Sequence, residues 1–265
     1  MYRIGLKLWS VNTDFYLREA KRLYAERVFD YLEIYFVPGS LDTLSNWKST
    51  GIPCVVHAPH SAHGVNLASR EAEPSNMLAY EDVKRFADGL SADIVIAHGG
   101  VLGSVDEVVR QLELIGDSRI IIENKPYLPI DGTPRLLAGS TPGEIGKIIH
   151  GAGCGFCLDI GHAVAAANAH GVDWRGFLDE FLALGPRMFH LSDIDTTSKV
   201  DQHLHFGDGN LPIDEILSKI PSGATISVET GKGSKTRLDD FAADAACLMQ
   251  MASLRADNGL QREMS

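Results

Sequence analysis

Eight short apolar runs, each followed by a helical pattern, constrain this chain more than any other feature. The runs are Tyr2–Leu8, Asp30–Phe36, Pro53–His57, Asp93–His98, Arg119–Glu123, Gly155–Asp159, Arg187–Leu191 and Ala224–Glu229. Helical patterns follow them at Phe15–Arg27, Leu41–Trp47, Ser75–Leu90, Val105–Ile115, Pro142–His150, His162–His170 with Trp174–Leu184, Ile213–Ile220 and Leu238–Leu254. Runs such as Ile94-Val95-Ile96 and Ile120-Ile121-Ile122 are apolar at consecutive positions, as in parallel strands buried on both faces. Strand–helix alternation implies right-handed crossovers and a parallel sheet. Eight such units in 265 residues predict an α/β fold, a single-domain (β/α)₈ TIM barrel. A doubly wound open sheet is the alternative, but no glycine-rich fingerprint follows the first run. The barrel is expected over residues 1–256, with a polar tail at 257–265.

The chemistry lies where the runs end. His57, His98, Glu123, Asp159, His190 and Glu229 stand at or near six of these ends. His162 follows Asp159 by three residues, and the loop after the seventh run adds Asp201 and His203. In a barrel all strand C-termini open onto one face, so these positions converge in space. Imidazole nitrogen and carboxylate oxygen are ligands for borderline divalent metals such as zinc. Taken singly, a histidine or acid at a strand end is more often a helix cap or a satisfied polar residue. Six consecutive ends of this kind form a buried charge cluster that needs a counter-charge, and metal supplies it. Asp201 and His203 alternate, so an extended loop would point both side chains the same way.

Other candidates are weaker. His60 and Lys125 follow the third and fifth runs and are candidate substrate contacts; His63 accompanies His60. Glu33, inside the second run, points either into the barrel or towards the helices. His150 and His170 sit near helix C-termini, where the dipole favours them. Cys154-Gly155-Phe156-Cys157 has redox or zinc spacing, but it lies at a strand entry without a second pair, so core packing is expected.

The net charge of −11 argues against binding phosphate backbones or anionic lipid by bulk attraction. Four cysteines do not make a disulfide framework, and neither a signal peptide nor an 18-residue apolar span is visible. A cytoplasmic protein with no membrane partner is expected.

Val55-Val56-His57, Ile96-Ala97-His98, Ile122-Glu123-Asn124, Cys157-Leu158-Asp159-Ile160-Gly161-His162, Phe189-His190-Leu191, Val200-Asp201-Gln202-His203, Gly207-Asp208-Gly209-Asn210 and Val228-Glu229-Thr230 together resemble the endonuclease IV family. That family belongs to the xylose-isomerase-like TIM barrels. The resemblance implies a site for up to three zinc ions, with manganese an alternative. His57 and His98 would hold the first and Glu123 would bridge it to the second. Asp159, His190 and Glu229 would complete the second, and His162, Asp201 and His203 would hold the third. Glu123 and Glu229 would be the catalytic carboxylates, Glu229 assisting deprotonation of the attacking water.

The subset Glu123, Asp159, His190 and Glu229 is shared with sugar isomerases and epimerases of the superfamily. The chain also departs from endonuclease IV. Tyr35-Phe36-Val37-Pro38-Gly39-Ser40 has no arginine where that family has one, His60 replaces an aromatic residue, and Gln202 replaces a second arginine. The leading expectation is metal-dependent phosphodiester hydrolysis of the kind that cuts DNA 5′ to an abasic site. The alternative is a metal-dependent sugar or sugar-phosphate isomerase or epimerase. A non-enzymatic carbohydrate binder is disfavoured, because it would carry an intact ligand set unused. The partner is therefore abasic-site DNA or a small sugar or sugar phosphate, and the oligomeric state is left open.

Overall fold

A computed structural model describes residues 2–129 and 136–263, with side chains as far as Leu254. Eight strands run parallel and close on themselves in sequence order. They are β1 (Arg3–Trp9), β2 (Tyr31–Tyr35), β3 (Cys54–His57), β4 (Val95–His98), β5 (Ile120–Glu123), β6 (Gly155–Asp159), β7 (Met188–Leu191) and β8 (Thr225–Val228). β1 pairs with both β2 and β8, which leaves no open edge.

The helices described around the barrel are α1 (Phe15–Ala25), α2 (Leu44–Lys48), α3 (Glu73–Leu90), α4 (Val105–Ile115), α5 (Pro142–Ala152), α6 (Ile160–His170), α7 (Trp174–Leu182), α8 (Ile213–Lys219) and α9 (Asp239–Glu263). The expected TIM barrel is thus the observed fold. Several helix ends differ from the sequence reading by a few residues, two of them instructively. Helix α3 begins at Glu73 because Pro74 fits a first turn, where no N–H is needed. Helix α9 continues past Leu254 into the stretch read as a polar tail. None of the described helices is long and apolar enough to cross a membrane.

Strand side chains alternate between two faces, and this period organises the interior. One face packs on the helices through residues such as Leu32, Val56, Ile122, Leu158 and Val228. The other face fills the barrel. Its lower layer is an apolar plug of Tyr31, Val55, Ile96, Ile121, Cys157 and Met188, one from each of β2–β7. Gly5 completes the layer on β1, where a Cβ would overlap the Tyr31 ring. Cys157 is a free, fully buried thiol, and burial pushes its pKa up to about 12. The Cys-x-x-Cys spacing therefore reports core packing.

Two residues further along each strand, the same inward face turns polar. That layer reads Lys7, Glu33, His57, His98, Glu123, Asp159, His190 and, just past β8, Glu229.

Candidate metal centre

The polar layer resolves into groups whose donor atoms lie within 4.8 Å of one another. His57, His98 and Glu123 form one; Glu123, Asp159 and His190 form a second; His162, Asp201 and His203 form a third. Glu33, His57 and Glu229 form a fourth, which interlocks with the others. Glu123 joins the first two groups. Its Oε2 lies 3.1 Å from His57 Nε2, 3.0 Å from His98 Nε2 and 3.4 Å from His190 Nδ1. Glu229 Oε1 lies 2.7 Å from His190 Nδ1. In the third group Asp201 Oδ2 lies 2.6 Å from His203 Nε2 and 3.4 Å from His162 Nε2.

The backbone explains why these side chains meet. In β4–β5 His98 is the register partner of Glu123, and in β6–β7 Asp159 is the partner of His190. Asp159 caps α6 by accepting from His162 N–H at 2.7 Å through Oδ1, which leaves Oδ2 facing the cluster. Asn124 clamps β5 to β6, accepting from Asp159 N–H and donating to Asp159 C=O. The Asp201–His203 geometry has a different origin from the one expected. The segment is not simply extended: His203 adopts a left-handed φ of 48°. That conformation is uncommon for a residue with a side chain and is characteristic of functional loops. Paired hydrogen bonds between Asp193 and Leu204 hold it against the end of β7.

Each imidazole is oriented by its second nitrogen. His57 Nδ1 lies 2.9 Å from Ala58 C=O and His162 Nδ1 lies 2.9 Å from Asn124 C=O, which directs both Nε2 atoms at the cluster. His190 is reversed. Its Nε2 lies 3.0 Å from Glu33 Oε2, so Nδ1 points inward. His203 Nδ1 is buried without a hydrogen-bond partner among the described residues, and His190 Nδ1 faces the carboxylates of the cluster, with Glu229 at 2.7 Å. An orphan such as His203 Nδ1 is costly unless something binds it. Together with the nitrogen and oxygen donor set, these atoms fit divalent cations.

Charge leads to the same conclusion. Glu33, Glu123, Asp159, Asp201 and Glu229 are all buried, and the lysines in ion-pair contact with them are Lys7 and Lys125. Burial alone would raise the Glu123 pKa, but His98, Lys125 and His190 hold it well below the usual carboxylate range. Asp159 goes the other way: burial raises its pKa, with Glu229, Asp201 and Glu123 adding to the rise against His162. The carboxylates oppose one another at Asp159, while His162, His190 and His203, whose pKa values their acidic neighbours raise against burial, supply counter-charge that a bound cation would replace.

Lys7 and Glu33 are the residues that inspection of strand ends overlooked or left open. They are register partners on β1 and β2. Lys7 Nζ lies 3.2 Å from Glu33 and is also bonded to Glu229. Glu33 therefore points into the barrel, not towards the helices. Their signal was the alternation itself, one period before each strand's end. Replacing Glu33 by glutamine removes the carboxylate that fixes His190. Affinity for divalent metal, read by chelator competition, is expected to fall about 10–100-fold.

Of the two expected substrate contacts, Lys125 lies within the cluster, 3.3 Å from Glu123 and 3.4 Å from His162. His60 stands at the rim with its ring stacked on His98 at 5.1 Å. Burial, helped by the charges on Lys125 and His57, lowers its pKa to about 3. A cavity of about 850 Å³ opens above the layer, edged by Trp9, Tyr16, Tyr35, His60, Lys125 and Lys232. His63 supports this wall through a 2.7 Å hydrogen bond with Tyr35 OH.

Comparison with known proteins agrees with this architecture. The chain is 28% identical over 225 residues to uncharacterized protein MJ1311 of Methanocaldococcus jannaschii, covering 74% of this chain and 72% of the relative. It is 25% identical over 215 residues to the probable endonuclease 4 of Mycobacterium tuberculosis, covering 77% and 82%. A solved structure of a D-tagatose 3-epimerase-like protein superposes with a TM-score of 0.72 at 22% identity, covering 97% of this chain and 99% of that one. That last likeness concerns the fold. The family model for the xylose isomerase-like TIM barrel matches residues 29–251. The chain belongs to the xylose isomerase-like TIM barrel family.

Proposed function

We propose that this protein is a metal-dependent phosphodiester hydrolase with the chemistry of an abasic-site endonuclease, and that its nine ligands are His57, His98, Glu123, Asp159, His162, His190, Asp201, His203 and Glu229. The observation that carries this reading is that eight of these donors fall into three groups, two of them sharing Glu123, while Glu229 falls in a fourth with Glu33 and His57. A single-metal isomerase would bind its ion without a separate donor group, although His162 would contact substrate hydroxyls there. When bound, clustered metals lower the pKa of a water and neutralise the attacking and leaving oxygens of a phosphoryl displacement. Zinc suits these donors, and manganese remains compatible with them.

The protein's own groups have distinct tasks. Glu229 Oε1 is engaged by Lys7 and His190, which leaves Oε2 to accept the proton of the attacking water. Glu123 holds His57, His98 and His190 in one orientation. Lys125 and His60, on the cavity side, donate to phosphate oxygens. Trp9, itself half exposed, and Tyr35 form the aromatic edge of that side.

The test pairs metal analysis with a nicking assay. The purified protein should hold about three ions per chain, the fourth donor group sharing His57 with the first. It should nick a duplex carrying one abasic site, and a His203→Ala variant should not. The competing reading is a sugar or sugar-phosphate isomerase. The cavity of about 850 Å³ favours it, because that volume suits a small molecule. One ion per chain, no nicking and turnover of a ketose would establish that reading instead.

A further inference from the structure

Three lysines line the mouth cavity: Lys7, Lys125 and Lys232. Two are already paired with carboxylates, Lys7 with Glu33 and Glu229 and Lys125 with Glu123. Lys232 is different. Among the described residues no carboxylate lies within ion-pair distance of it. Its Nζ donates to Thr230 C=O at 2.7 Å. An ammonium has three donors, so this bond leaves two for other partners. The side chain is partly buried, and burial lowers its pKa to about 8 despite the more distant Glu229 and Asp244. A desolvated cation without a counter-ion costs free energy that a bound anion would recover.

The surrounding loop holds this lysine in place. It joins β8 to α9 and reads Thr230-Gly231-Lys232-Gly233-Ser234-Lys235-Thr236-Arg237. Gly231 N–H donates to His203 C=O at 3.2 Å, and Gly233 N–H donates to Asp240 at 2.9 Å. Ser234 Oγ accepts from the N–H groups of Thr236 and Arg237, and Tyr16 OH donates to Ser234 C=O. Arg237 turns outward to pair with Asp239. Of the cations on this loop, Lys232 is the one that lines the cavity. Loops after the seventh and eighth strands of such barrels are frequent sites for a substrate phosphate.

We propose that Lys232 determines specificity by binding a phosphate of the substrate that is separate from the group reacting at the metal centre. The assignment rests on the mouth being the substrate site of the proposed function, but not on which bond is broken there. Two sources share this chemistry: a flanking phosphate of a nucleic-acid strand and the phosphate of a small sugar phosphate.

Two arms separate them. In the first, metal-loaded protein is titrated calorimetrically with ribose and with ribose 5-phosphate, which differ by the phosphate alone. The unaltered protein should prefer ribose 5-phosphate, Lys232→Met should lose about tenfold of that preference, and Lys232→Arg should recover most of it. In the second, abasic duplexes with normal or methylphosphonate linkages beside the lesion are assayed for nicking. Lys232→Met should raise KM about tenfold on the normal duplex, and one methylphosphonate position should abolish the difference between the two proteins. A response in the first arm alone identifies a small-molecule phosphate, and a response in the second alone identifies a nucleic-acid phosphate. The first arm succeeding without any nicking preserves the role of Lys232 and removes the hydrolase reading. Equal behaviour of Lys232→Met and the unaltered protein in both arms overturns the proposal, as does the absence of any phosphate-dependent binding by the unaltered protein.

Discussion

A Glu123→Ala variant should lose two of the three bound ions and about 10³-fold of hydrolytic rate, while remaining folded. Glu123 is the side chain that the first two donor groups share. One oxygen serves His57, His98 and His190, and the other meets Lys125 and the Nδ1 of His162, whose Nε2 is the atom turned to the third group. Its removal takes a donor from both groups at once and releases Lys125 from its partner. The third group, His162 with Asp201 and His203, contains no atom of Glu123 and should keep its ion. Metal analysis and the rate therefore read different consequences of one substitution. Folding should survive, because the change deletes one of five buried carboxylates crowded into one cluster. A variant that kept all its metal, or lost metal from every group equally, would contradict the shared-ligand arrangement.

Removing the metals should produce the largest change in stability. The buried carboxylates Glu33, Glu123, Asp159, Asp201 and Glu229 lie close together, with Lys7 and Lys125 as their lysine partners. An ion that binds only the folded chain stabilises it by about 2.7 kcal/mol at a hundredfold excess over Kd. For a chain of this size, each kcal/mol moves Tm by about 2–4 °C. Chelation should thus lower Tm by about 5–10 °C for each tightly held ion. Calorimetry with and without chelator, followed by metal restoration, is the measurement. A melting curve indifferent to chelation would mean that Lys7 and Lys125 already balance the cluster.

The fold was legible because each parallel strand is a continuous apolar run, and eight such runs have few ways to close. The ligand candidates were legible because a charge at the end of an apolar run contradicts its surroundings. Lys7 and Glu33 follow the same rule but sit before an aromatic residue, Trp9 or Tyr35, that continues the run and hides the break. Only the two-residue alternation along the inward face of β1 and β2 marks them. The left-handed backbone at His203 was not legible, since only the pairing of Asp193 with Leu204 fixes it. Lys232 was missed for a related reason. It shares a polar loop with Lys235 and Arg237, and composition does not say which of the three turns inward.

The apolar plug beneath the cluster has a consequence for traffic. Tyr31, Val55, Ile96, Ile121, Cys157 and Met188 offer an ion no ligand worth leaving water for. Whatever reaches the polar layer must come through the mouth, and whatever departs must leave the same way. Ions and substrate therefore share one doorway. On the proposed function, a substrate filling it would shut in any metal bound beneath, so turnover and metal exchange would exclude one another.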